Sequence, residues 1–171
     1  TSDPKEVQRV FSDEWSKKVF NLPRAKPNFE EFKNEYGRFI PHVPYQGGLI
    51  SGNDMYKVIQ GMRKTVPGLD GWRVHEPKLL GLAAWNQRAR IVAVQAAKGK
   101  VPSNYKQVST PMLSKVARTE IIMDHRGLAI FSILWRTESG AWYQKLSGWQ
   151  EEWLPPGMHG ARPGHECLNS A

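Results

Sequence analysis

The run Pro67-Gly68-Leu69-Asp70-Gly71 follows closely on the cations Arg63 and Lys64. Pro67 fixes its own φ, Gly68 and Gly71 permit positive φ, and Asp70 can accept bonds from nearby backbone amides. A rigid turn of this kind can hold two cations toward an anion; the plainer reading is a loop that ends a helix. Trp72, between Gly71 and Arg73, offers a surface on which a base can stack, whereas the other tryptophans read as core. Two further constellations carry less. His159, His165 and Cys167 lack the paired spacing of a zinc finger, so a metal is not expected there. Glu120, Asp124 and His125 form neither a triad nor a carboxylate pair and read as surface charge.

The elements that position these groups follow from periodicity. Residues 3–20 predict an amphipathic helix, with Ser2 or Asp3 as cap, Pro4 in its first turn, and Val7, Val10, Phe11, Trp15 and Val19 on one stripe. A second helix is expected over 28–39, carrying Phe29, Phe32, Tyr36 and Phe39. Between them Pro23 and Pro27 break the chain, and 41–48 reads as loop. Asn53 is the expected cap of a third helix over 54–64, which buries Met55, Val58, Ile59 and Met62. The longest helix is expected from Pro77 to Lys98, stopped by Gly99. The period then changes. Residues 105–113 predict a weak strand and 128–134 a stronger one, joined through the polar stretch 114–127 as a hairpin with a long basic tip. A last helix is expected over 134–149, and the chain beyond Pro155-Pro156 reads as loop. The fold class expected is α+β, mostly helical with a small antiparallel hairpin.

Composition bounds the function. Of 171 residues 40% are hydrophobic, with 7 Trp, 6 Phe and 5 Tyr, enough to fill a core and to exclude global disorder. Net charge is +8. Residues 1–60 hold 9 Lys/Arg against 8 Asp/Glu (+1), and residues 61–171 hold 15 against 8 (+7), so an anion-facing surface is expected in the later part. Cys167 is the only cysteine, so no intrachain disulfide can form; a reducing, intracellular compartment, nucleus or cytoplasm, is expected. No stretch reaches the length of a membrane span, and no signal pattern opens the chain. Neither end carries a start or stop feature, and both read as cuts through a longer chain.

A series of motifs then runs in one order. The Arg/Lys-rich segment followed by Pro-Gly-x-Asp-Gly resembles the opening of the fingers in reverse transcriptases of non-LTR retrotransposons and group II introns. Gly99-Lys100-Val101-Pro102-Ser103-Asn104-Tyr105-Lys106 resembles that family's G-x-[IV]-P-x-x-W-K. Met112-Leu113-Ser114-Lys115 resembles its apolar pair followed by Lys, His125-Arg126-Gly127-Leu128-Ala129-Ile130 its Y-R-P-I-S, and Leu134-Trp135-Arg136 its L-Y-K/R. Gly160-Ala161-Arg162-Pro163-Gly164 resembles G-F-R-P-G. The match covers about 54–171. Gly127 stands where the family has Pro, Met158 where it has Gln, and Ala161 where it has Phe.

The resemblance implies an N-terminal helical extension over 1–53 and a fingers-like region over 54–171, ahead of palm and thumb. It implies that Lys115 and Arg126 lie on opposite hairpin arms and contact an incoming deoxynucleoside triphosphate, for which a point charge and a bidentate fork are suited. Lys106, Arg118 and Arg136 become candidates for nucleic-acid backbone contacts, and Arg63, Lys64 and Arg73 for lining the template strand. The implied partners are an RNA template, an RNA–DNA hybrid and the rest of the polymerase. Palm aspartates with Mg²⁺ would perform the chemistry; this sequence has no Asp-Asp pair, so no catalytic residue or cofactor is expected within it and it is not expected to polymerise alone. The alternative is a stand-alone nucleic-acid-binding or interaction module derived from a retroelement.

Overall fold

The computed structural model describes residues 3–20, 28–39, 41–117, 120–155, 157 and 162. In chain order the main elements are α1 (Pro4–Trp15), α2 (Phe29–Tyr36), α3 (Gly52–Gly61), α4 (His75–Lys78), α5 (Leu82–Lys98), β1 (Met112–Ser114), β2 (His125–Gly127) and α6 (Ile133–Glu151). Among the described residues the protein is thus mostly helical with one small two-stranded antiparallel sheet. It divides into two compact units, Thr1–Ile40 with Thr110–Ala129, and Pro41–Ser109 with Ile130–Ala171.

The second unit contains every buried hydrophobic residue among those described. Its core joins Ile50, Met55 and Ile59 to Trp85 and Val92 of α5 and to Ile133 and Ala141 of α6. α3 packs on both long helices. Its N-terminus comes so close to α5 that a Cβ on Gly52 would lie 2.5 Å from the Asn86 backbone nitrogen, which leaves glycine as the residue that fits.

Local signals account for most element ends, though not always the expected ones. α3 is capped by Ser51 rather than Asn53. The Ser51 hydroxyl accepts from the Asp54 N–H (3.1 Å) and the Asp54 carboxylate accepts from the Ser51 N–H (2.8 Å), a reciprocal capping box. The helix ends at Gly61, short of Lys64, because Met62 turns to extended angles (φ −69°, ψ 130°) and the chain is then held by α6: the Arg136 guanidinium donates to Thr65 Oγ1 (2.8 Å) and to the Val66 carbonyl (3.0 Å).

The expected single helix from Pro77 to Lys98 is two. α4 stops at Lys78, and α5 starts afresh after Gly81, whose extended backbone (ψ 164°) serves as its N-cap. Gly99 ends α5 in the left-handed region (φ 60°); its N–H bonds to the Ala96 carbonyl and that of Lys100 to the Gln95 carbonyl, a Schellman closure.

The apolar run 128–134 does not form the expected strand. Ser132 instead caps α6, its side chain accepting from the Trp135 N–H (3.2 Å), and Ile133 and Leu134 enter the helix. Ile133, Thr137, Glu138 and Ala141 then fall on one buried face. The segment before α3 lies along the outer side of α6, with Trp149 Nε1 donating to the Val43 carbonyl (2.8 Å) and Lys145 Nζ to that of Leu49 (3.0 Å).

In the first unit α1 begins at Pro4 behind an Asp3 cap, and runs into a π-helical turn over 16–20. Its Phe11 ring meets the edge of His125 at 5.0 Å, so the helix rests on the hairpin. β1 and β2 pair Met112 with Gly127, Leu113 with Arg126 and Ser114 with His125. The bonding goes on past both ends of this ladder, Leu128 N–H to the Pro111 carbonyl and Lys115 N–H to that of Asp124. Pro111 has no N–H to return, which shortens the regular strand. No helix among the described residues is long and apolar enough to cross a membrane.

Candidate nucleic-acid interface

The turn 67–71 is a docked element of the second unit rather than a free loop. A Cβ on Gly68 would lie 2.4 Å from the Phe131 carbonyl oxygen, so the backbones approach as only glycine allows. Gly71 closes the turn at φ 70°, its N–H bonding to the Gly68 carbonyl (3.0 Å). The Asp70 carboxylate accepts from the Ile133 N–H at 2.8 Å, on the first turn of α6. A carboxylate there satisfies a donor that the helix cannot, and meets the positive end of its dipole.

The extended segment after α3 and the segment leading into α4 enclose a groove of about 730 Å³. Lys64, Arg73, His75 and Lys78 supply its polar lining, while Met62, Val66, Pro67 and Val74 supply an aliphatic one. Among the described residues no carboxylate lines it. The two acids nearest in sequence are both engaged with backbone amides, Asp70 as described and Glu76 accepting from the Arg73 N–H (2.6 Å). Lys78 Nζ donates to the Gln60 carbonyl and Gln60 Nε2 to that of Lys78, both at 2.9 Å, which fastens α4 to α3.

Of the residues singled out by sequence, Lys64 and Arg73 are brought together in this groove, and Arg63 lies exposed next to Lys64 in the same segment. Arg136 is spent on the groove wall through Thr65 and Val66. Lys106 is exposed at the end of the short 3₁₀ turn 103–106. Arg118 lies outside the described residues, as do His159, His165 and Cys167. His75 and Lys78 were missed by the sequence reading. Their signal was the basic spacing 73, 75, 78 just past the turn, hidden by the assumption that Pro77 opened one long helix.

In the first unit Arg126 is exposed on β2 opposite Leu113, and Lys115 follows β1 on the other arm. Residues paired across a ladder, and those two apart along one strand, share a face. That alternation sets Arg126, Leu113 and Lys115 on one side of the hairpin. Lys115 Nζ also donates back to the Met123 carbonyl (3.0 Å), whereas the Arg126 guanidinium makes no hydrogen bond or ion pair among the described residues.

A third cluster lies inside the second unit, joining residues with no local sequence relation. Arg88 Nε of α5 donates to Glu138 Oε1 of α6 at 2.5 Å, and the Tyr105 hydroxyl donates to the same oxygen at 2.9 Å. The Arg88 guanidinium also lies over the Tyr105 ring, 5.1 Å from its centre. Burial pushes the Glu138 carboxyl above the usual glutamate range, against the opposing pull of Arg88. This cluster ties α5, α6 and the 103–106 turn together. Among the described residues no group of three or more His, Cys, Asp or Glu side chains is placed to hold a metal ion. A scan against protein-family models matches none of them to this chain, and a search of curated proteins finds no match either.

Proposed function

We propose that this chain is the N-terminal and fingers part of a reverse transcriptase of the non-LTR retrotransposon and group II intron type. In this reading it holds an RNA template or RNA–DNA hybrid and an incoming deoxynucleoside triphosphate. Palm aspartates beyond this chain, with Mg²⁺, would carry the polymerisation chemistry. The observation that carries the reading is the acid-free groove beside the docked Pro-Gly-x-Asp-Gly turn, in which Lys64 and Arg73 stand together. Arg126 and Lys115 on one hairpin face suit a triphosphate, and the motifs from Pro67 to Arg136, which run in the order the resemblance implies, support the reading.

The test is fluorescence anisotropy with labelled RNA and RNA–DNA hybrid across a salt series. Binding whose logarithm falls linearly with log salt is expected, because cations that neutralise phosphates release counterions. No affinity at the lowest salt would overturn the reading. For the hairpin pair, Lys115→Ala with Arg126→Ala in the intact parent polymerase should raise the nucleotide KM; an unchanged KM removes the role assigned to them.

A second reading, a stand-alone nucleic-acid-binding module derived from a retroelement, is favoured by the second unit's holding every buried hydrophobic residue among those described. It predicts equal affinity with and without the remainder of the parent chain.

A further inference from the structure

The segment 41–48 carries two prolines at a telling spacing. Pro41 and Pro44 fix φ in the polyproline II range, and Val43, just ahead of Pro44, is restricted to extended angles. The stretch belongs to no helix or strand. The carbonyls of Pro41, His42 and Pro44 accept no hydrogen bond among the described residues, as in polyproline II, whose backbone is left to solvent.

The segment is nonetheless anchored. Trp149 Nε1 donates to the Val43 carbonyl at 2.8 Å, and the Tyr45 ring meets Trp149 edge-on at 5.9 Å. Val43 and Tyr45 are half-buried, whereas Pro41, His42 and Pro44 are exposed. Polyproline II turns once in about three residues, so Pro41 and Pro44 stand one turn apart on a single exposed ridge. Continued backward at the same chain spacing, that ridge takes in Arg38. Arg38 is exposed on the 3₁₀ turn Gly37–Phe39, its guanidinium over the Phe39 ring and paired with no carboxylate among the described residues. No Asp or Glu lies between Glu35 and Asp54.

We propose that Arg38, Pro41 and Pro44 form a docking ridge for a partner protein whose aromatic-lined groove takes polyproline II helices and ends in carboxylates. Aromatic rings of the groove receive the two pyrrolidines, its donors take the open carbonyls, and its carboxylates pair with Arg38, which joins the ridge as the 3₁₀ turn extends. Charge selects the occupant: a groove without acids would leave the one cation of this stretch unmatched. Prolines that already hold their angles, on a segment anchored at Val43, reduce the ordering that docking requires. This surface uses neither the basic groove nor the hairpin cations, so the nucleic-acid reading stands or falls without it.

The experiment is isothermal titration calorimetry of the full chain with an isolated SH3 domain selective for Arg-x-x-Pro-x-x-Pro ligands. It is repeated with the same domain after its groove acids are changed to amides. The variants are Arg38→Ala and the double change Pro41→Ala with Pro44→Ala; all three side chains are exposed, and circular dichroism melts check that the fold is kept. The wild-type chain should bind the acidic domain. The proline variant should weaken that binding roughly tenfold or more. Arg38→Ala should weaken it roughly tenfold with the acidic domain and leave binding to the amide domain unaltered, the sign of a direct pair. No binding of the wild-type chain would overturn the proposal. Binding undiminished in the proline variant would also overturn it, leaving adhesion of an acidic domain to a basic chain. Equal effects of Arg38→Ala on both domains would overturn the pairing that selects this partner.

Discussion

Replacing Glu138 separates hydrogen bonding from charge in the core. Glu138 Oε1 accepts from both Arg88 Nε and the Tyr105 hydroxyl, and Arg88 Nη2 is already buried without a partner among the described residues. Glu138→Leu strips both donors at once and leaves a guanidinium unpaired beside the core. Removing one member of a buried pair costs about 3–5 kcal/mol, a large part of the ~5–15 kcal/mol that stabilises a domain. Glu138→Gln keeps an oxygen where both donors point. Because desolvation outweighs the attraction of Arg88 for this carboxyl, the ionised form gives no net advantage, and the Gln variant should lie within about 1 kcal/mol of wild type. Adding Arg88→Met to Glu138→Leu should recover most of the loss, since no charge then remains to be desolvated.

The sign with pH follows. A carboxyl raised in the folded state binds its proton more tightly there, so wild-type stability is greatest below the unfolded value near about 4.3 and falls as pH rises through the folded one. The Gln variant lacks that descent. Urea denaturation followed by tryptophan fluorescence across pH measures all four proteins. Equal losses of several kcal/mol in the Gln and Leu variants would refute the reasoning, because ion pairing would then outweigh hydrogen bonding.

Other outcomes follow from the same geometry. Ser51→Ala should cost about 1 kcal/mol by opening the capping box, read from the denaturation midpoint. The Ser51 N–H holds the Asp54 carboxyl below the usual aspartate range, helped by the Ser51 hydroxyl and Lys145. Its stabilisation is present above about pH 3.9 and is lost as pH falls through the folded value, so Asp54→Asn should flatten that part of the acid limb. Gly68→Ala should cost roughly 1–3 kcal/mol by forcing the turn off Phe131. Gly148→Ala, where an added Cβ meets nothing within 4 Å on α6, should instead stabilise by about 0.5–1 kcal/mol; thermal melts of the pair check the contrast.

The parts of the fold legible in sequence were those set by neighbours along the chain. Pro4 behind Asp3, the stop at Gly99 and the apolar spacing of Met55 and Ile59 act within a turn or two. Where tertiary bonds decide, local pattern and structure part company. Residues 128–134 have strand composition, but Ser132 and Asp70 together start a helix at Ile133, and Asp70 reaches it across 63 residues. Gly81 outweighed Pro77 as a helix start because extended angles at that residue separate α4 from α5. The site divides likewise. Lys64 and Arg73 flank a recognisable turn, whereas the Arg88–Glu138 pair, 50 residues apart, leaves no periodic trace.

The chain leaves the second unit at Ser109 and returns at Ile130, and these two residues are bonded to each other through both backbone amides (3.2 and 2.7 Å). Departure and return are therefore adjacent points, as in a domain insertion. Residues 110–129 are free to lengthen, shorten or be exchanged for a tight two-residue turn at little cost to the helices around Met55 and Trp85. A scaffold wired in this way keeps its groove constant while the inserted hairpin segment diversifies.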